Sequence, residues 1–259
     1  LVGLRRIDAK ADLLKAADSS QPNVRAAALT ALGATVGPQD LNVLISEVVS
    51  PKHPEDALVA QTALKAACIR MPEGDACADQ LTAAMANAPA ATKGTLLEII
   101  GAMGTARSLE ALAAAAKSGD SQLADVATKA LGEWMNLEAA PVLLDLAKNL
   151  TEEKYQVRAL KGYMRLARQF VKPNQDGQRV NMCKQAFDAA KRPAEQKLVI
   201  ETLLRAQTLE ALRLAVRAAQ KPELKADATR VANTIAQKLG PDKPEVKQLL
   251  AKLEPVAAN

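Results

Sequence analysis

Residues 24–33 read Val24-Arg25-Ala26-Ala27-Ala28-Leu29-Thr30-Ala31-Leu32-Gly33, and the pattern returns as Leu123-Ala124-Asp125-Val126-Ala127-Thr128-Lys129-Ala130-Leu131-Gly132. Each stretch runs through a short link into a further apolar segment, Asp40 to Val49 after the first and Leu137 to Asn149 after the second. Looser copies close at Ala67-Cys68, Met103-Gly104, Leu166-Ala167, Ala206 and Ile235-Ala236. Their spacing is roughly 28 to 40 residues, the range of two-helix repeats. A unit of that size cannot bury its apolar side alone, so successive copies must cover one another.

Composition agrees. Hydrophobic residues make up 49% of the 259 but aromatic ones only 2%, so Ala and Leu dominate. Such side chains lose little freedom in a helix, whereas the β-branched and aromatic residues that build sheets are sparse. The class expected is all-α. Start and stop signals give about fifteen helices, or seven pairs and a final half. Pro22, Pro38, Pro54, Pro72, Pro89, Pro193 and Pro222 sit where a first helical turn would lie, a position that has no use for the missing amide hydrogen. Gly33, Gly104 and Gly240 read as helix ends, and Asp8, Asp40, Thr105, Asp120, Thr151 and Thr208 as amino-terminal caps.

Apolar residues recur at three- and four-residue steps, as in Leu96, Leu97, Ile99, Ile100 and Met103, on stripes broad enough to be covered from two sides. The many alanines let helix axes approach near the lower end of the usual ~8 to 10 Å. The expected organisation is one solenoid over residues 1–254 with a tail or linker at 255–259, and Phe170 to Asp176 forms a longer loop. The chain opens at Leu1 without a start Met and reads as a piece of a larger protein.

The Val-Arg-x-Ala-Ala-Ala-x-Ala-Leu-Gly core at Val24 to Gly33 resembles the second helix of HEAT repeats, including the short HEAT-like repeats first associated with phycobilin lyases. The resemblance covers essentially the whole chain and implies a right-handed α-α superhelix of the HEAT or armadillo kind with about seven helix pairs. A narrower likeness lies in Ala66-Ala67-Cys68 to Cys77, in Leu131-Gly132-Glu133-Trp134 with Ala139 to Leu143, and in Leu160 to Ala167 with Arg192 to Lys197. These stretches are similar to the HEAT-repeat region of large bacterial multidomain proteins, often extracytoplasmic and fused to predicted sugar-processing domains. That likeness implies an accessory or interaction module and supplies no motif for catalytic residues.

The residues offer little for catalysis. His53 is the only histidine, and it lies in Pro51-Lys52-His53-Pro54, an expected helix start. Cys68, Cys77 and Cys183 form no CxxC pair, and one histidine cannot complete a closed zinc set, so no metal or cofactor is expected. Gly101-Ala102-Met103-Gly104 ends a helix rather than following a strand, which excludes a phosphate loop. Trp134, Tyr155, Tyr163 and Phe187 read as filler between helices.

Cys68 and Cys77 flank Met71-Pro72-Glu73-Gly74, and an antiparallel turn there would bring them within bridging distance. A disulfide would add roughly 2 to 3 kcal/mol by loop closure and needs an oxidising compartment. Two small buried thiols are the other reading, with Cys183 free in either case. The bridge favours a periplasmic or secreted location over a cytoplasmic one.

The net charge of +5 is mild, and acidic residues interrupt nearly every basic stretch. Arg25, Lys129, Arg158, Lys161, Arg165, Arg205 and Arg230 fall on second helices, the ones that line the concave side in HEAT-type stacks, and would form a basic ridge if they face solvent. Asp125, Glu201 and Asp227 are near enough in sequence to neutralise them. The functional expectation is therefore a non-catalytic scaffolding or protein-interaction module, monomeric and without membrane insertion, binding a protein partner or an attached domain. The alternative is a nucleic-acid-binding enzyme of the DNA-glycosylase kind that uses the basic groove.

Overall fold

The computed structural model describes residues 10–253, all helices, turns and links, with no strand among them. The Asp8 cap and the tail after Leu253 lie outside the described residues. Internal contacts fall into two compact units divided between Ala130 and Leu131.

In the first unit α1 (Lys10–Ala17) packs on α2 (Pro22–Thr35), α3 (Leu41–Val49) on α4 (Ala57–Arg70), and α5 (Gly74–Asn87) on α6 (Ala90–Met103), which is followed by α7 (Ala106–Ala116). The second helices α2, α4 and α6 stack in that order, and the first helices α3, α5 and α7 stack behind them. Residues Leu32, Leu41, Leu44, Leu64, Leu81, Leu96 and Ile100 are wholly buried between the two layers. The helix α8 (Ser121–Gly132) spans the division.

The second unit repeats the plan. Here α9 (Ala140–Asn149) pairs with α10 (Glu153–Gln169), α11 (Asp176–Ala189) with α12 (Pro193–Thr202), and α13 (Leu209–Ala219) with α14 (Lys225–Leu239), before a final α15 (Pro244–Leu250). First helices α9, α11, α13 and α15 stack on one another, as do second helices α10, α12 and α14. Paired helices layered first on first and second on second are the architecture that the sequence repeats require.

Proline behaves largely as expected. Pro22 and Pro193 open α2 and α12, while Pro38, Pro54 and Pro222 open single 3-10 turns that feed α3, α4 and α14. Pro89 caps α6, and Pro72 lies in the link before α5. Thr105 and Thr208 accept hydrogen bonds from the amides of Ser108 and Ala211, and Asp120 from those of Gln122 and Leu123.

Three local expectations are corrected. Asp40 makes no side-chain cap, because it ends a 3-10 turn whose geometry has already turned the chain into α3. Thr151 makes none either, since α10 starts at Glu153 behind Glu152. Gly33 is not a terminus but lies inside α2, where a Cβ would stand 2.7 Å from the carbonyl oxygen and 2.8 Å from the Cα of Ala63. Its missing side chain lets α2 and α4 meet backbone to backbone. Gly162 in α10 does the same, with 2.9 Å to the Cα of Gly132. Gly104 and Gly240 do close helices, at φ 68° and 101°.

A second recurring device ties neighbouring second helices at their ends, where the last carbonyls have no partner within their own helix. Arg70 donates to the carbonyl of Val36 at 2.5 Å, Arg165 to those of Gly132 at 2.9 Å and Trp134, and Lys238 to that of Leu204 at 3.3 Å. The partners lie 31 to 34 residues earlier in every case. On the first helices Asp75 accepts from the amide of Arg107 and Asp176 from that of Gln207, each at 3.1 Å.

Candidate functional site

The seven basic residues expected to form a ridge separate into structural and surface groups. Arg25 is 2% exposed and does not face solvent, so its assignment as a binding residue is corrected. Its guanidinium donates to Asp56 at 2.5 Å, to Glu55 at 2.8 Å and to the carbonyl of Ser19 at 3.1 Å. These bonds raise its proton affinity, the Asp56 hydrogen bond most of all. Arg25 thus clamps the start of α2 to the link before α4, a use of charge visible only when residues 31 apart are brought together.

Arg165 is half-buried, holds the two carbonyls already described and lies over the Phe170 ring, so it too serves the fold. Arg158 is half-buried along the Tyr155 ring. Lys129, Lys161, Arg205 and Arg230 are exposed. Arg230 pairs with Glu201 of α12, and beside it Lys197 pairs with Asp227 at 3.0 Å, so two ion pairs divide this face of the second unit. Such exposed pairs contribute little stability but do neutralise the surface.

The most unusual surface is in the first unit and was not anticipated. The helix α4 buries Ala60, Ala63, Leu64, Ala67 and Cys68 against α2, α3 and α6. Its opposite stripe, at steps of four, three and four, is Leu58, Thr62, Lys65 and Ile69. Leu58 is 75% and Ile69 55% exposed, two of only four large hydrophobic residues that are exposed among those described. Val24, a third, is on the neighbouring α2, whose exposed positions also include Ala27 and Thr30. Apart from Lys65, the outer face of these second helices is therefore uncharged, made of small, apolar or hydroxyl side chains. The signal was available in the sequence, because Leu58 and Ile69 lie out of phase with the core stripe of their own helix.

Trp134 is buried, and its indole nitrogen donates to Asn136 at 3.1 Å. Tyr155, Tyr163 and Phe187 are buried as helix filler. His53 lies half-exposed in the link before α4, 3.6 Å from Glu55. Arg179, which sequence reading did not single out, is 4% exposed and fastens the loop between α10 and α11 by donating to Ala167, Val171 and Asp176. The expected loop therefore has a pinned base, with Val171 buried.

Cys68, Cys77 and Cys183 are buried free thiols. Burial pushes Cys68 and Cys183 up to about 12 and raises Cys77 as well. Among the described residues no group of three or more His, Cys, Asp or Glu is placed to hold a metal ion, and no helix is long and apolar enough to cross a membrane.

No family model matches the chain, and no curated protein matches it. Among solved structures it is similar to an archaeal HEAT-like repeats protein from Thermococcus onnurineus NA1, with a TM-score of 0.42 and 12% identity over 89% of this chain and 98% of that one. It is also similar to a chain from the computational design of self-assembling cyclic protein homooligomers, with a TM-score of 0.15 and 13% identity over 97% of this chain and 90% of that one.

Proposed function

We propose that the chain is a non-catalytic interaction module, part of a larger protein, and that the outer face of α2 and α4 receives apolar side chains of a protein partner or an attached domain. The exposed pair Leu58 and Ile69 carries this reading. Fully burying such a side chain is worth about 1.5–3 kcal/mol, so completing the burial of these two would contribute about 3 kcal/mol to binding. That corresponds to roughly 150-fold in Kd.

The test has two stages. A photo-crosslinking residue at Ala66, between the two, identifies the partner, and its affinity is then measured for the wild type, for L58S/I69S and for K161E. The reading requires a loss of one hundredfold or more for the apolar variant and less than about threefold for K161E. Equal affinities would refute it.

Exposed Lys161 and Arg205 in the second unit favour the nucleic-acid alternative, which the Arg230–Glu201 and Lys197–Asp227 pairs oppose. Binding to duplex DNA at low salt that K161E/R205E abolishes would replace the protein-partner reading.

A further inference from the structure

Sulfur is concentrated at one turn of the first unit. Cys68 lies in the last turns of α4 and Cys77 is the fourth residue of α5, and only Met71, Pro72 and Glu73 separate the two helices. Helices joined so briefly and in contact run back on each other, which sets the end of one beside the start of the next. Both thiols are at most 1% exposed and belong to the same core cluster. The Cys77 thiol reaches Met71, three residues beyond Cys68, with Sγ 3.3 Å from Sδ. Each observation points the two side chains into one small volume between the helices.

That volume has an entrance. A pocket of about 310 Å³ opens at the turn, lined by Cys68, Met71, Glu73, Gly74 and Met103. It is bounded by the start of α5 and by Thr105, the cap of α7, whose methyl would lie 2.7 Å from any Cβ at Gly74. Cys68 borders this pocket and Cys77 does not, so a local opening of the turn brings a small disulfide to Cys68 first.

We propose that Cys68 and Cys77 are a thiol pair that small disulfides oxidise to an intramolecular bridge, with Cys68 as the first nucleophile and Cys77 resolving. The Cys68 thiolate displaces one thiolate from the small disulfide and forms a mixed disulfide. The Cys77 thiolate then attacks the Cys68 sulfur and releases the second half. Two protein thiols and one small disulfide become one protein disulfide and two small thiols, with two electrons and two protons passed to the small molecule. Both protein thiols hold their protons tightly through burial, so the reaction accelerates as pH rises. The bridge would staple α4 to α5 behind the Leu58–Ile69 stripe, and it stands whether or not that stripe binds a partner. Cys183, buried in α11 of the second unit, stays reduced.

The folded chain is incubated with oxidised glutathione at pH 8.5, quenched in acid, unfolded, alkylated and weighed. The result expected is one alkylated cysteine, a mass deficit of two hydrogens for the other pair, and a proteolytic peptide linking 68 to 77. In Cys183→Ser no cysteine should alkylate. Three alkylated cysteines, retained glutathione or a bridge to Cys183 would each overturn the proposal. Equilibration against glutathione buffers, folded and in urea, separates placement from mere sequence proximity. The folded chain should hold the bridge at glutathione ratios at least tenfold more reducing, and equal midpoints would also overturn it.

Discussion

Replacing Gly33 and Gly94 by alanine, one at a time, should move stability in opposite directions. Both are inside helices of the first unit, Gly33 in α2 and Gly94 in α6. Each gains about 1 kcal/mol of helix propensity on becoming alanine. At Gly94 the new methyl meets only Val126, at an ordinary 3.9 Å, so the gain is kept. At Gly33 it would lie 2.7 Å and 2.8 Å from backbone atoms of Ala63, which cannot rotate away. Atoms that prefer about 3.5–4.0 Å must then be separated by moving α2 from α4 by more than about 0.5 Å. Overpacking of that kind costs about 1–3 kcal/mol, leaving a net loss near 1 kcal/mol. Gly33→Ala should therefore lower Tm by about 2–4 °C, and Gly94→Ala should raise it by a similar amount. Thermal and urea unfolding followed by helical circular dichroism measure both. If Gly33→Ala proves as stable as Gly94→Ala, the backbone contact between α2 and α4 is not what holds them together.

Other outcomes follow from the same structure. Thr208→Ala removes the acceptor for the Ala211 amide and should cost about 1 kcal/mol in urea unfolding, as should Thr105→Ala at α7. Burial raises Cys68 and Cys183 in the folded chain to about 12 against about 8.5 unfolded, so their stabilising effect is complete below pH 8.5 and lost as pH climbs toward 12. Stability should fall over that alkaline window, and Cys183→Ser should flatten the fall. Asp75 is held below its ordinary range by the Arg107 amide and then the Thr105 hydroxyl, so its contribution is present above about pH 4 and disappears on acidification. Asp75→Asn should blunt the acid limb of the pH–stability curve and leave the alkaline limb alone. Leu58→Ser with Ile69→Ser should change the unfolding free energy of the isolated chain by no more than about 0.5 kcal/mol, because neither side chain is in the core.

Helix number and most helix starts were legible because proline, threonine and aspartate act on their own turn, within a few residues of where they stand. Gly104 and Gly240 were legible for the same reason, since a positive φ is a local demand. Gly33 was misread because Ala31-Leu32-Gly33 looks like a helix end, while its role is set by Ala63 on another helix. Arg25 failed in the same way: an arginine on a helix of mild charge looks solvated until Asp56 and Glu55 arrive from the next repeat. The outer stripe of α4 was readable from phase alone, since Leu58 and Ile69 are two positions from core residues Ala60 and Ala67. The basic residues have the stronger sequence signal, yet the fold uses two of them, Arg25 and Arg165, as ties.

The carbonyl ties of Arg70, Arg165 and Lys238 share a reach of about one repeat. Excising or duplicating a single block of that length would hand every surviving donor an equivalent acceptor, so copy number can drift during evolution without leaving an orphaned helix end. An indel of half a block would instead present first helices where second ones belong, and the chain should tolerate it far less.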